Sequence, residues 1–166
     1  MLGCRAKNMP KSGKLGNRDH SRSRMTCDID MVVALEPTDA GLMVTLFDPD
    51  YHVSRDAIGC SIRSESLFNL IHQASVIKVD CIVRKGNAYR LAEFERRQRV
   101  EIEDFATWNV SKEDLIISKL WRAKDSRSEM QLGDVRKLAS TGADENYIEH
   151  WTRKLDLHNL WMECRP

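Results

Sequence analysis

A chain of 166 residues, 42% hydrophobic and 31% charged with a formal net charge of +1, can bury one real core and has the composition of an ordinary globular protein. It offers no uninterrupted apolar stretch of about 18 residues for a membrane-crossing helix, and its basic start lacks the apolar segment of a secretory signal. A membrane partner is therefore not expected, and the cytoplasm is the expected compartment.

The net charge is unevenly spread. Residues 1–24 carry Arg5, Lys7, Lys11, Lys14, Arg18, Arg22 and Arg24 against Asp19 alone, or +6, which leaves −5 for the rest. A basic, Gly/Ser/Asn-rich arm on an acidic body could touch nucleic acid. The plainer expectation is a disordered tail, because the arm has no hydrophobic periodicity to fold with.

The folded sequence begins near Met25. Met31-Val32-Val33-Ala34-Leu35 is a short apolar run entered through Asp28-Ile29-Asp30 and stopped by Glu36-Pro37, which reads as a buried strand. Thr38 is a candidate cap for a short helix with Leu42, Leu46 and Phe47 as apolar residues, ended by Asp48-Pro49-Asp50. A polar stretch follows.

Leu67 to Ile71 and Ile77 to Val83 read as strands joined by a turn at Gln73-Ala74-Ser75, hence an antiparallel hairpin. Tyr89 to Arg97 reads as a charged helix with Leu91 and Phe94 inward, and Arg99 to Ile102 as another strand. From Ser111 the pattern is helical. Ser111 caps a helix with Leu115, Ile116, Lys119 and Leu120, and Glu129 to Ala139 form a second helix closing at Ser140-Thr141-Gly142. Asp144 caps a third with Tyr147, Ile148, Trp151 and Leu155, and a short fourth holds Leu157, Leu160 and Trp161. Trp108, Trp121, Trp151 and Trp161 are expected to supply core.

The expected organisation is a basic arm over 1–24, a small mixed sheet over 25–108, and a helical bundle over 109–166 packed on it. This is an α/β (α+β) fold, and the hairpin excludes a doubly wound all-parallel sheet.

Five scattered cysteines, Cys4, Cys27, Cys60, Cys81 and Cys164, without a C-x-x-C pair, argue for reduced structural thiols over a disulfide framework or a zinc site. Cys27 and Cys81 each adjoin a strand aspartate. Their side chains should point to the opposite face, into the core.

The sharpest chemical feature is the pair Asp28 and Asp30. In a strand, residues i and i+2 share a face with Cα atoms about 7 Å apart. Two like charges there repel and lose solvation unless a cation neutralises them. Asp80, between Val79 and Cys81 in another apolar run, is a third such acid. Carboxylates embedded where hydrophobes belong fit a Mg²⁺ or Mn²⁺ site, whose shell is completed by water and substrate phosphate. On its own D-x-D also marks strand ends and turn entries. Lys78 shares the face of Asp80 and could meet a phosphate or simply neutralise the acids.

Four ordered blocks carry a family resemblance. Arg24 to Val33 resembles the R-x-T-x-D-I-D segment of small bacterial nucleotidyltransferase-like proteins of the polymerase-β superfamily, akin to AbiE-type abortive-infection toxins and minimal nucleotidyltransferases. Ser66 to His72 with Lys78-Val79-Asp80 resembles their F-N-h-I-H…K-h-D hairpin, where h is apolar. Val110 to Leu120 is similar to their T-P-E-D-L-I-L-x-K-L helix, and Gln131-Leu132-Gly133-Asp134-Val135 to their Q-x-x-D-V.

The resemblance implies metal ligation by Asp28, Asp30 and Asp80, with Asp80 helping to activate the attacking hydroxyl. It implies transfer of a nucleoside monophosphate from an NTP to a protein or RNA acceptor such as tRNA, in a toxin–antitoxin or defence system with a cognate toxin or antitoxin. Lys119 and Asp134 would border the nucleotide pocket, or else form a helix-surface pair.

The family also carries an apolar strand, a Gly-Gly or Gly-Ser turn and a helix before D-x-D, a device for binding phosphate. Met1 to Ser23 lack it, since Gly13 and Gly16 follow no apolar strand. A truncated or mis-started member is one expectation. A catalytically silent binding module of the same fold is the alternative, and a nucleic-acid binder led by its basic arm is a third.

Overall fold

In this computed structural model the described residues are 2–5, as backbone, 29–102 and 105–165. The chain divides into two compact units, Met1–Gly86 with Arg99–Asn109, and Asn87–Gln98 with Val110–Pro166.

The first unit is built on a five-stranded sheet of β1 (Leu2–Arg5), β2 (Ile29–Val33), β3 (Tyr51–His52), β4 (Leu67–His72) and β5 (Lys78–Val83), in the order β1-β2-β5-β4-β3. β2 and β5 run parallel and the other pairs antiparallel, so the sheet is mixed, as the hairpin required. Between β2 and β5 the chain forms a 3-10 turn (Pro37–Asp39), α1 (Ala40–Phe47) and α2 (Arg55–Arg63).

Alternation decides which residues meet the helices. Val33, Phe68, Leu70, Val79, Cys81 and Val83 form one core with Ala40 and Met43 of α1 and Ile58 and Ile62 of α2. The intervening positions, Asp30, Val32, Asn69, Lys78, Asp80 and Ile82 among them, occupy the opposite face.

Several details depart from the sequence expectation. The helix start does not use Thr38. Instead the Asp39 N–H donates to the Glu36 carbonyl (2.9 Å) and the Glu36 N–H to the Asp39 carboxylate (2.8 Å). Leu42 and Leu46 of α1 are exposed while Ala40 and Met43 are buried. α2 fills the stretch read only as polar. Its Ser54 hydroxyl accepts from the Ala57 N–H (3.3 Å), and Ile58 and Ile62 give it a narrow two-residue apolar stripe. Leu2–Arg5, at the start of the arm for which no fold was expected, pair antiparallel with β2. Residues 6–28 lie outside the described set. β6 (Gln98–Ile102), anticipated as a strand, pairs with β7 (Phe105–Asn109), which was not.

The second unit is helical: α3 (Ala88–Glu95), α4 (Lys112–Ala123), α5 (Glu129–Ala139), α6 (Glu145–Lys154) and α7 (His158–Cys164). The division of the sequence at residue 108 is crossed here, because α3 belongs with the helices and its Tyr89 enters their core.

The caps follow the sequence. The Ser111 hydroxyl accepts from the Asp114 N–H (3.1 Å) and the Asp144 carboxylate from the Tyr147 N–H (3.1 Å). Gly142 takes φ +79° past the end of α5, where an L side chain would be strained. Ile116, Ile117, Leu120, Leu132, Val135, Ile148 and Trp161 fill the core. Phe94 is buried as expected, but Leu91, also expected inward, is exposed, and Tyr89 is buried in its place. Of the tryptophans, Trp161 is fully buried and Trp151 packs against the core, but Trp121 is exposed under the Arg90 guanidinium, 5.6 Å from its ring. Among the described residues no helix is long and apolar enough to cross a membrane.

Candidate functional site

The two described aspartates of the predicted trio meet on the sheet. Asp30 of β2 and Asp80 of β5 are direct register partners. Because the strands are parallel neighbours, about 4.8 Å apart, both carboxylates rise from the same face, opposite Cys81. Asp30 is only 8% exposed. Asp28 lies outside the described residues. Among the described residues no three His, Cys, Asp or Glu side chains gather as a metal group.

β4 continues the row, since Asn69 is the register partner of Asp80 on its other side. The Asn69 amide donates to Asp80 Oδ1. Lys78 Nζ lies 2.9 Å from Asp80 Oδ1 and 3.3 Å from Oδ2. The row Asp30, Asp80, Asn69 therefore sets two acids and an amide across three strands, with the Lys78 ammonium alongside. Leu67 and Ile71 flank Asn69 along β4 and are exposed.

Asn69 was not singled out from the sequence as a site residue. The signal was a lone amide between Phe68 and Leu70, at the alternate position of an otherwise apolar strand.

Beneath the acids, Cys81 is a core thiol, as expected. Burial, and then the charge of Asp80, push its pKa up to about 12, so it stays protonated and is no anionic ligand. Cys164 is buried too, while Cys60 is exposed. His72 accepts the Ser75 N–H at Nδ1 (3.2 Å), lies 2.7 Å from the Ser75 hydroxyl and packs on the Tyr51 ring, a structural role.

The other two predicted residues belong to the helical unit. Lys119 of α4 and Asp134 of α5 bond each other at 2.6 Å, with Lys119 largely buried. That contact ties two helices together.

A second cluster in this unit escaped the sequence reading. Asp114 is 0% exposed. Its Oδ2 accepts from the Ser111 hydroxyl (2.6 Å) and its Oδ1 from the Tyr147 hydroxyl (2.9 Å). Arg96 Nε stands 3.6 Å away, and the Arg96 guanidinium stacks 3.9 Å over the Tyr147 ring. Burial first, then Asp114, push the Tyr147 hydroxyl well above the ordinary phenol range. Every acceptor here has an internal donor, which is how a buried charge is made tolerable.

No protein-family model and no curated protein sequence matches the chain.

Proposed function

We propose that the sheet unit carries a divalent-metal site for nucleotidyl transfer, moving a nucleoside monophosphate from an NTP to a hydroxyl on a protein or an RNA such as tRNA. The observation that carries this reading is the register pairing of Asp30 with Asp80 on one sheet face. Two carboxylates forced side by side repel, and hard oxygen donors of that kind fit Mg²⁺ or Mn²⁺, which takes one or two of them and fills its shell with water and phosphate. Asp30 and Asp80 would hold the ion, and the family resemblance adds Asp28 as a third ligand. A bound cation would supply charge neutralisation at the phosphates of the nucleotide. Asp80 would accept a hydrogen bond from the incoming hydroxyl, and Lys78 would face phosphate. The resemblance of four sequence blocks to small nucleotidyltransferases supports the same chemistry. In this reading the protein acts in the cytoplasm beside a cognate toxin or antitoxin.

Two features favour a second reading, a catalytically silent module of the same fold. Asp80 already has an ammonium and an amide as partners, and the sequence before β2 lacks the family's Gly turn.

Mn²⁺ titration followed by calorimetry, on the wild type and on Asp30→Asn combined with Asp80→Asn, tests the metal site. The wild type should bind and the double variant should lose at least about tenfold in affinity; equal binding ends the reading. Labelled NTPs supplied one at a time with a cell lysate then separate the two readings. Label transferred by the wild type and not by the double variant supports the enzyme; none from any NTP supports the silent module.

A further inference from the structure

Lys78 and Asp80 stand two residues apart on β5 and share a face, so their pairing needs no other element to bring them together. The ammonium reaches both carboxylate oxygens, at 2.9 Å and 3.3 Å, and the Asn69 amide takes Oδ1 as well. Oδ1 is therefore claimed by two donors, and Oδ2 by the longer arm of Lys78. A divalent ion binding Asp30 and Asp80 together would have to share Oδ2 with that ammonium or displace it. The two cations would lie within a few ångströms of each other, where like charges repel strongly. Asn69 is neutral and can stay.

The lysine is the partner built to move. Its side chain is 43% exposed, against 20% for Asp80, and an ammonium on a four-carbon stem re-enters water at little cost.

We infer that Lys78 is an internal counter-ion that occupies Asp80 while the site is metal-free and yields it to an entering divalent cation. This inference rests on the metal site proposed above and adds its regulation. The ion pair offsets part of the repulsion between Asp30 and Asp80. When a cation takes Asp80, the ammonium is freed beside the same site, available to an anionic group of the substrate.

The competition is read from size against a charge-matched control. Removing any nearby positive charge strengthens cation binding a little. Removing one that competes for a ligand strengthens it more. The partly exposed pair should give about a two- to fivefold effect.

The test is Mn²⁺ affinity by calorimetry on the full chain, comparing the wild type, Lys78→Met, Lys78→Arg and Lys85→Met. Lys85 is exposed just beyond β5, so its substitution makes the same change in net charge without touching Asp80. Lys78→Met should bind Mn²⁺ about two- to fivefold more tightly than the wild type, Lys78→Arg should stay near the wild type, and Lys85→Met should shift by less than half the Lys78→Met factor. If Lys78→Met binds no more tightly than the wild type, or no more tightly than Lys85→Met, the counter-ion role is overturned and the metal site stands. If the wild type binds no better than the Asp30→Asn, Asp80→Asn variant, the metal site falls and this inference falls with it.

Discussion

Asp114 in the helical unit and Asp80 in the sheet unit are both acids set into apolar surroundings, yet they are handled in opposite ways. Asp114 is sealed from water and met by the Ser111 and Tyr147 hydroxyls, with Arg96 at 3.6 Å. Its partners come from three separate stretches of chain, so the carboxylate locks α4, α6 and the end of α3 to one another. Asp80 is placed next to another acid and balanced by a half-exposed lysine on its own strand. The first arrangement spends every acceptor inside the fold. The second keeps a like charge alongside and a partly exposed counter-ion. An acid whose partners span several elements ties those elements together, while an acid set beside a second acid on one face is the one for which we propose a chemical role.

The largest expected effect breaks the sealed acid. Asp114→Ala leaves the Ser111 and Tyr147 hydroxyls without their shared acceptor and removes the fully buried anion beside the partly exposed Arg96. Leaving such hydrogen-bond donors without an acceptor costs about 1–3 kcal/mol. Urea denaturation should show that loss with an unchanged slope. A loss below about 1 kcal/mol would mean that Asp114 is not the anchor of the helical unit.

How much of this contrast could be read beforehand depends on whether the decisive contact is local. The caps at Ser111 and Asp144 and the turn at Gly142 were legible because each is made within a few residues. The β4–β5 hairpin was legible for the same reason, and with it the mixed character of the sheet. The pairing of Asp30 with Asp80 joins residues 50 apart in sequence; acids embedded in two apolar strands and the family resemblance suggested that they meet, but neither fixed the register. The Asp114 hub was hidden because Asp114 sits in the first turn of α4, where an acid is explained by the helix end alone. Its Tyr147 and Arg96 partners lie far away in sequence. α2 was missed because two isoleucines four apart, with Gly59 and Ser61 between them, make too thin a stripe to announce a helix. The outward turn of Leu42 and Leu46 is a tertiary outcome, decided by which side of α1 finds the sheet.

The next effect concerns the thiol under the site. Cys81 is raised in the folded chain from 9.0 to about 12, first by burial and then by Asp80. The folded state therefore holds this proton more tightly than the unfolded state does. The stability linked to it is fully present below pH 9 and is lost as pH rises from there toward 12, because only the unfolded chain releases the proton in that window. Denaturation midpoints measured between pH 8 and 11 should fall more steeply for the wild type than for Cys81→Ala. In the native protein at pH 8, iodoacetamide should label the exposed Cys60 and spare Cys81. Parallel slopes, or rapid labelling of Cys81, would place that thiol in water and remove the dry layer beneath the acids.

The smallest expected effect is the most telling for the comparison. Asp80→Asn keeps the shape of the side chain and an oxygen for the Asn69 amide, and it relieves the repulsion from Asp30. What it forfeits is a partly exposed ion pair with Lys78, worth about 0–1 kcal/mol at most. Stability should therefore change by less than about 1 kcal/mol in either direction, while Mn²⁺ affinity falls with the charge. An acid whose removal abolishes binding yet scarcely moves the denaturation midpoint is held in place by the fold and not needed by it. Should Asp80→Asn cost as much as Asp114→Ala, the two acids would be doing the same structural job, and the sheet face would lose its claim to be a site.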